Sequence, residues 1–220
     1  MRDVSRAAFV FLLVLGTCLA IGCSDNGTGP DNNPPPSTGK HLWSKGFGDG
    51  SHQAAEAVAV DASGNVIVTG NFEGTVDFGG GALTSAGSGD IFVAKFGSDG
   101  AHLWSKCFGD GSIKIAYAVV DDASGNVIVT GYIEDTVDFG GGALTSAGGW
   151  DIFVAKFGSE GAHLWSKRFG DGSDQAAEAV AVDASGNAMV TGYFDGTVDF
   201  GGGALTSAGS FDIFVAKFGR

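Results

Sequence analysis

The sequence predicts an all-β protein assembled from three copies of one four-stranded unit, and three observations carry that expectation. The first is a period: His41-Leu42-Trp43-Ser44-Lys45 returns at 102–106 and again at 163–167, each time 61 residues on. The second is that each unit holds two hairpin signatures, short apolar runs on either side of a Gly-containing turn. The third is that these runs are apolar on both alternating faces, so each sheet needs cover on both sides.

The units are 41–101, 102–162 and 163–220. In the first, strand A is Ala57–Val60, the turn Asp61–Asn65 follows, and strand B is Val66–Thr69. Gly74–Gly89, 16 residues rich in Gly, Ser and Thr, reads as a connection. Strand C is Asp90–Phe96, the turn Gly97–Gly100 follows, and strand D is His102–Lys106. In A, Val58 and Val60 oppose Ala57 and Ala59; in C, Phe92, Ala94 and Phe96 oppose Ile91 and Val93. Without its 16-residue connection the period is 45 residues, the length of a four-stranded propeller blade (about 40–45). The fold expected is therefore a β-propeller; a three-fold closed fold such as a β-prism is the alternative that three copies suit. The units begin with a D strand at Trp43 and end with a C strand at Phe218, so a terminal D strand is expected to complete the last sheet. Three blades in an open arc would expose apolar blade faces. Self-association follows as an expectation, most simply two chains forming one ring.

Two resemblances rest on particular residues. Gly100-Ala101-His102-Leu103-Trp104, repeated at 39–43 and 161–165, resembles the docking tryptophan of quinoprotein-type propellers, which packs on the neighbouring blade. A tryptophan buried within its own sheet is the alternative, and both roles are structural. The stretch Ala57-Val-Ala-Val-Asp-Ala-Ser-Gly-Asn-Val-Ile-Val-Thr-Gly70, with copies at 118–131 and 179–192, is similar to the bacterial β-propeller repeat known as the SBBP repeat. That resemblance covers 41–220 and implies a secreted or surface protein, commonly a lipoprotein, in rings of about seven blades. Three copies depart from that pattern.

The N-terminus reads as an address. Arg2 and Arg6 precede Ala7–Gly22, an apolar run of 16 residues, short of the roughly 20 that cross a bilayer. Ala20-Ile21-Gly22-Cys23 resembles a bacterial lipobox, which implies a signal peptide over 1–22, lipidation of Cys23 with palmitate among the acyl chains, and a flexible tether over 23–40. The alternative is an ordinary cleaved signal peptide. The expected location is the bacterial cell envelope, lipid-anchored to the outer membrane or cell surface. Processing removes Cys18 and leaves Cys107 without a disulfide framework. The net charge of −13 becomes −14 on the processed chain and argues against nucleic acid as a partner. Gly numbers 39 against 4 Pro with no Gly-X-Y period, which excludes collagen, and 44% apolar residues exclude a wholly disordered chain.

The first and third copies agree at 50 of 57 positions, so the differences are more informative than the identities. Nearly all fall on the rim formed by the D–A loops, the end of B and the start of C. They are Gly46/Cys107/Arg168, His52/Ile113/Asp174, Gln53/Lys114/Gln175, Glu56/Tyr117/Glu178, Asn71/Tyr132/Tyr193 and Gly89/Trp150/Phe211. Aromatics among polar loop groups suit a sugar- or protein-binding surface, making Arg168, Tyr132, Tyr193, Trp150, Phe211 and Tyr117 the ligand-binding candidates. Neutral drift in exposed loops is the alternative. Asp121 replaces Val60 and Val182 and is a further candidate, facing a solvated central channel, or else a frayed strand end. Aspartates repeat at 49/110/171, 61/122/183, 77/138/199 and 90/151/212. Asp61-x-Ser63-x-Asn65 offers oxygens that Ca²⁺ could use, but Asx turns and caps are the favoured roles, and neither a metal site nor another cofactor is expected.

No catalytic residue is expected. There is no Gly-x-Ser-x-Gly elbow and no His-Glu-x-x-His; His41, His102 and His163 recur beside Trp in a structural pattern, and Cys107 has Gly and Arg as counterparts. The function expected is a surface-tethered, non-enzymatic binding or scaffold module for protein or glycan. The alternatives are a polysaccharide hydrolase or lyase using Asp121 and the repeated aspartates, and a truncated family member without an independent role.

Overall fold

The computed structural model describes residues 39–220, and the compact unit is Leu42–Arg220. The signal segment, Cys23 and nearly all of the tether lie outside the described residues. All regular structure described is β. Blade 1 is an antiparallel sheet of β1 (Gln53–Val60), β2 (Val66–Phe72), β5 (Asp90–Phe96) and β6 (His102–Phe108), in that order. Blade 2 repeats it with β7 (Lys114–Asp121), β8 (Val127–Ile133), β11 (Asp151–Phe157) and β12 (His163–Phe169). Blade 3 has three strands, β13 (Gln175–Val182), β14 (Ala188–Phe194) and β17 (Asp212–Phe218). The Gly-rich stretches expected to be plain connections each contain a two-stranded ribbon: β3 (Thr75–Asp77) with β4 (Ala82–Thr84), β9 (Thr136–Asp138) with β10 (Ala143–Thr145), and β15 (Thr197–Asp199) with β16 (Ala204–Thr206). Asp77, Asp138 and Asp199 close these ribbons by accepting the amides two and four residues on.

The fold is thus β-propeller-like, with successive antiparallel blades side by side. β7 packs against both β1 and β13, so the A strands line the inner edge. Apolar side chains from both faces fill the spaces between blades. Ile67, Ile91 and Val93 of blade 1 share a cluster with Val129, Phe153 and Phe157 of blade 2; Ile128, Ile152 and Val154 of blade 2 share another with Val190, Phe214 and Phe218 of blade 3. Each such side chain, fully buried, contributes roughly 1.5–3 kcal/mol, so the blade interfaces rather than the single sheets hold the unit together. The three-fold prism is not what forms: the two end blades leave apolar faces open, with Val58 and Val60 of blade 1 at 65% and 59% exposure and Ile213 and Val215 of blade 3 at 86% and 76%.

The tryptophans dock between blades. Trp104 on β6 donates its indole N–H to the Ser159 carbonyl of blade 2 at 2.8 Å and lies on Gly161, whose φ of +78° no β-carbon hinders; an added one would come within 3.0 Å of the ring. Trp43 repeats this on Ser98 and Gly100 of blade 1 at 3.0 Å. The segment carrying Trp43 is not, however, a strand of any sheet, which corrects the expected terminal D strand: among the described residues no strand pairs with the outer edge of β17.

On the turn rim the Asp-x-Ser-Gly-Asn motif folds as an Asx turn braced by lysine. Asp61 accepts the Ser63 and Asn65 amides and the Asn65 side chain, and binds Lys95 Nζ at 2.9 Å; Asp122 does the same with Lys156 at 2.8 Å and Asp183 with Lys217 at 2.7 Å. The lysine ammonium therefore supplies a positive charge at each turn.

Candidate functional site

The opposite rim carries the variable residues, and a β-bulge positions its centre. Each A strand shifts register against its B strand at one residue, between Ala55 and Ala57, Ala116 and Ala118, and Ala177 and Ala179. The residues thereby extruded are Glu56, Tyr117 and Glu178. The bulge needs glycine opposite it: a β-carbon on Gly70, Gly131 or Gly192 would sit 2.0, 1.9 or 2.0 Å from the carbonyl oxygen of Ala54, Ile115 or Ala176. This is the physical role of the glycine that ends each Val-Thr-Gly run.

Around the bulges stands an aromatic group confined to blades 2 and 3. Tyr117 tilts against Tyr132 at a centroid distance of 5.7 Å, and Tyr132 stacks on Trp150 at 4.6 Å and 24°. Tyr193 meets Phe211 edge-on at 4.8 Å. Blade 1 has Asn71 and Gly89 in place of this furniture. Trp150 is itself tied to the next blade, its N–H donating to Asp174 at 3.1 Å and its carbonyl accepting from the Gln175 N–H at 2.7 Å. The rings are close enough to affect each other's ionisation. Burial first, then the neighbouring Tyr117 and Tyr193, pushes the Tyr132 phenol well above its usual range. Burial, with the negative charge of Glu178 behind it, pushes Tyr193 up to about 12. Glu178 is raised too, by the protein crowding it and by the like charge of Glu56, although water reaches both side chains.

Of the candidates read from the sequence, the structure brings together Tyr117, Tyr132, Trp150, Tyr193 and Phe211. Arg168 stands apart as an internal counterion: its Nη1 binds Asp151 at 2.5 Å and the Gly170 carbonyl at 3.1 Å. Asp121 is the last residue of β7, paired opposite Val127, and so belongs to the strand rather than a frayed end. Its carboxyl is raised by burial, and Asp61, Lys95 and Asp122 are the charges that act on it, which places it toward the turn rim of blade 1. Glu56 and Glu178 were not singled out by sequence reasoning; their alignment with Tyr117 was the available signal. The variation Gln53/Lys114/Gln175 proves to be anchoring. These side chains reach Asp49, Asp110 and Asp171, whose other oxygens hold the amides of Thr75, Thr136 and Thr197, and Lys114 and Gln175 are fully buried. His102 and His163 are likewise structural, each lying over a ribbon glycine and bonded to Ser105 or Ser166 at 3.0 and 3.1 Å. Among the described residues no three His, Cys, Asp or Glu side chains converge as a metal site.

No protein-family model matches the chain. It is similar to an uncharacterized WD repeat-containing protein of Acanthamoeba polyphaga mimivirus, at 24% identity over 189 residues, covering 73% of this chain and 13% of that protein. The chain thus spans only a small fraction of that relative's length. WD repeats build propeller blades of four strands, in keeping with the antiparallel sheets found here.

Proposed function

We propose that the protein is a lipid-tethered β-propeller module of the bacterial envelope, of the SBBP-repeat type, that binds glycan through the aromatic rim of blades 2 and 3 without catalysis. The observation that carries the binding reading is the graded stack Tyr117–Tyr132–Trp150 beside the exposed carboxylates Glu56 and Glu178. Aromatic faces take the apolar C–H face of a sugar ring, and a carboxylate accepts its hydroxyls. The anchor reading is supported by the Ala-Ile-Gly-Cys23 pattern and the Pro-rich, polar stretch behind it.

A polysaccharide hydrolase or lyase would need carboxylates free to exchange protons with substrate. The aspartates that repeat in every blade are instead engaged by backbone amides or by lysine, so the binding reading stands ahead. Screening the protein on a glycan array, followed by turnover assays on the sugars retained, tests both at once. Retention without turnover is expected, and loss of retention in Tyr117→Ala and Phe211→Ala; turnover would favour the enzyme, and retention of a protein ligand alone would move the rim to protein recognition. Labelling with a palmitate analogue, with Cys23→Ser as control, tests the anchor.

A further inference from the structure

We propose that the crevice between blades 1 and 2 at the turn rim is a second binding site, one that takes a guanidinium group and is independent of the aromatic rim. A cavity of about 340 Å³ opens there, with Asp61, Ser63 and Lys95 of blade 1 on one wall and Ser124, Ser159 and Glu160 of blade 2 on the other.

Strand alternation brings a third carboxylate to this junction. Asp121 stands two residues after Val119 and opposite Val127, both in the cluster packed between blades 1 and 2, so its half-buried side chain turns the same way. The other two copies have Val60 and Val182 at this register. Asp61 and Lys95 are among the charges that act on Asp121, which sets it beside the cavity wall. Lys95 is already committed: its ammonium, 4% exposed, pairs with Asp61 at 2.9 Å and reaches the Ser159 carbonyl at 3.5 Å. It is the one cation of the cavity lining among the described residues, so Asp121 and Glu160 leave the crevice negative. These carboxylates are too dispersed for a metal ion, since no three His, Cys, Asp or Glu side chains among the described residues converge on one. A larger cation with several donors suits them better.

The junction between blades 2 and 3 shows which cation. Ser98, Ser159 and Arg220 occupy equivalent places, each over the glycine of its own blade's A–B turn: a β-carbon added at Gly64, Gly125 or Gly186 would meet Ser98 at 3.4 Å, Ser159 at 3.6 Å or Arg220 at 3.3 Å. From that place Arg220 crosses to blade 2, where its Nη2 donates to Ser124 Oγ at 3.1 Å. Ser63 is the counterpart of Ser124. Between blades 1 and 2 the short Ser159 side chain leaves the same span open, and the cavity runs between Ser159 and Ser63. A guanidinium lying there would reach Ser63 as Arg220 reaches Ser124. Asp121 would add the planar acceptor that a guanidinium fork matches, at the register where the other junction has Val182.

Methylguanidinium titrated into the full chain in detergent is expected to move the backbone amide NMR signals of Ser63, Ser124 and Gly125 saturably. Asp121→Val installs the residue of the sister copies, so circular dichroism should be unchanged while binding weakens by at least about tenfold; Glu160→Gln, at an exposed position, should weaken it less. A capped Gly-Arg-Gly peptide separates the two sources of the group. Tighter binding than methylguanidinium identifies an arginine side chain of a partner, binding no tighter identifies a free small molecule, and either result upholds the site. Shifts that do not saturate overturn the proposal. So do equal shifts with tetramethylammonium, which has no N–H donor, at the same ionic strength, and so does wild-type affinity in Asp121→Val. None of these outcomes bears on glycan retention at the opposite rim.

Discussion

Trp104 donates its indole N–H to the Ser159 carbonyl across a blade boundary, and Gly161 beneath the ring leaves the space it needs. One side chain thereby fixes the separation of two sheets that share no backbone ladder. Trp104→Phe keeps most of the packing and drops the hydrogen bond, so a loss of about 1 kcal/mol is expected. Gly161→Ala adds a β-carbon 3.0 Å from the ring at a positive φ, and a loss of about 2–3 kcal/mol is expected. Urea midpoints followed by tryptophan fluorescence check both; a larger effect for Trp104→Phe than for Gly161→Ala would contradict the docking account.

The Asp122–Lys156 pair makes stability acid-sensitive. Burial alone would raise the Asp122 carboxyl, but Lys156, the Asn126 side chain and the amides of Asn126 and Ser124 more than offset it and hold it at about 2. A carboxyl lowered in the folded state contributes stability that is present above its ordinary pKa near 4 and is lost as pH falls through the folded value. Asp122→Asn leaves the Lys156 ammonium buried without its counterion and is expected to cost about 3–5 kcal/mol at pH 7. Its unfolding midpoint should change less than wild type's between pH 4 and pH 2, measured by chemical denaturation across that range.

The period, the hairpins and the two apolar faces were legible because they are local or repeat: Asp61–Asn65 and Gly97–Gly100 specify their turns within five residues. The bulge was not. Ala54-Ala55-Glu56-Ala57-Val58 has small residues on both sides of Glu56, so alternation does not reveal a slipped register, and Gly70, which permits it, reads as turn punctuation. The ribbons were hidden for a related reason. Thr-Val-Asp and Ala-Leu-Thr are three-residue strands embedded in glycine, too short for a periodic signal. At the rim, differences among copies found the aromatic group but could not separate it from Gln53/Lys114/Gln175, whose aspartate partners stand four residues earlier in a loop without periodic signal, or from Arg168, whose partner Asp151 lies 17 residues away across a hairpin.

Blade 1 has Cys107 where blade 2 has Arg168. Asp151 is fully buried and its Oδ2 binds Arg168; the matching Asp90, at 2% exposure, has Cys107 at that place, and the Oδ1 of each carboxylate has no hydrogen-bond partner. Burial raises the Asp90 carboxyl despite the Ala86 amide and the charge of Lys114, so its ionised form is penalised, and the penalty grows as pH rises from the ordinary carboxylate range through the folded value. Cys107→Arg is expected to stabilise the protein by about 1–3 kcal/mol at pH 7, with the gain vanishing in acid where Asp90 is protonated in both states. Denaturant titrations at pH 7 and pH 3 check it, and an equal gain at both pH values would mean that the arginine acts other than through Asp90.

The bulge ties stability to recognition, and two substitutions separate them. Gly131→Ala places a β-carbon 1.9 Å from the Ile115 carbonyl oxygen, so the bulge must open or the strands must part; about 3 kcal/mol of stability should be lost, and rim binding with it. Tyr117→Ala removes a half-exposed ring and leaves the backbone as it is. Its contact with Tyr132 is lost, so stability should fall by about 0.5–1.5 kcal/mol, well short of the loss in Gly131→Ala, while glycan affinity falls about tenfold. The raised Glu178 carboxyl adds a pH signature, because protonation removes the charge that accepts a sugar hydroxyl. Affinity should therefore decline as pH falls from 7 toward 4, and Glu178→Gln should lower affinity at pH 7 and flatten that decline. Calorimetric titrations of a retained glycan at three pH values read both effects, and an unchanged slope in Glu178→Gln would remove Glu178 from the site.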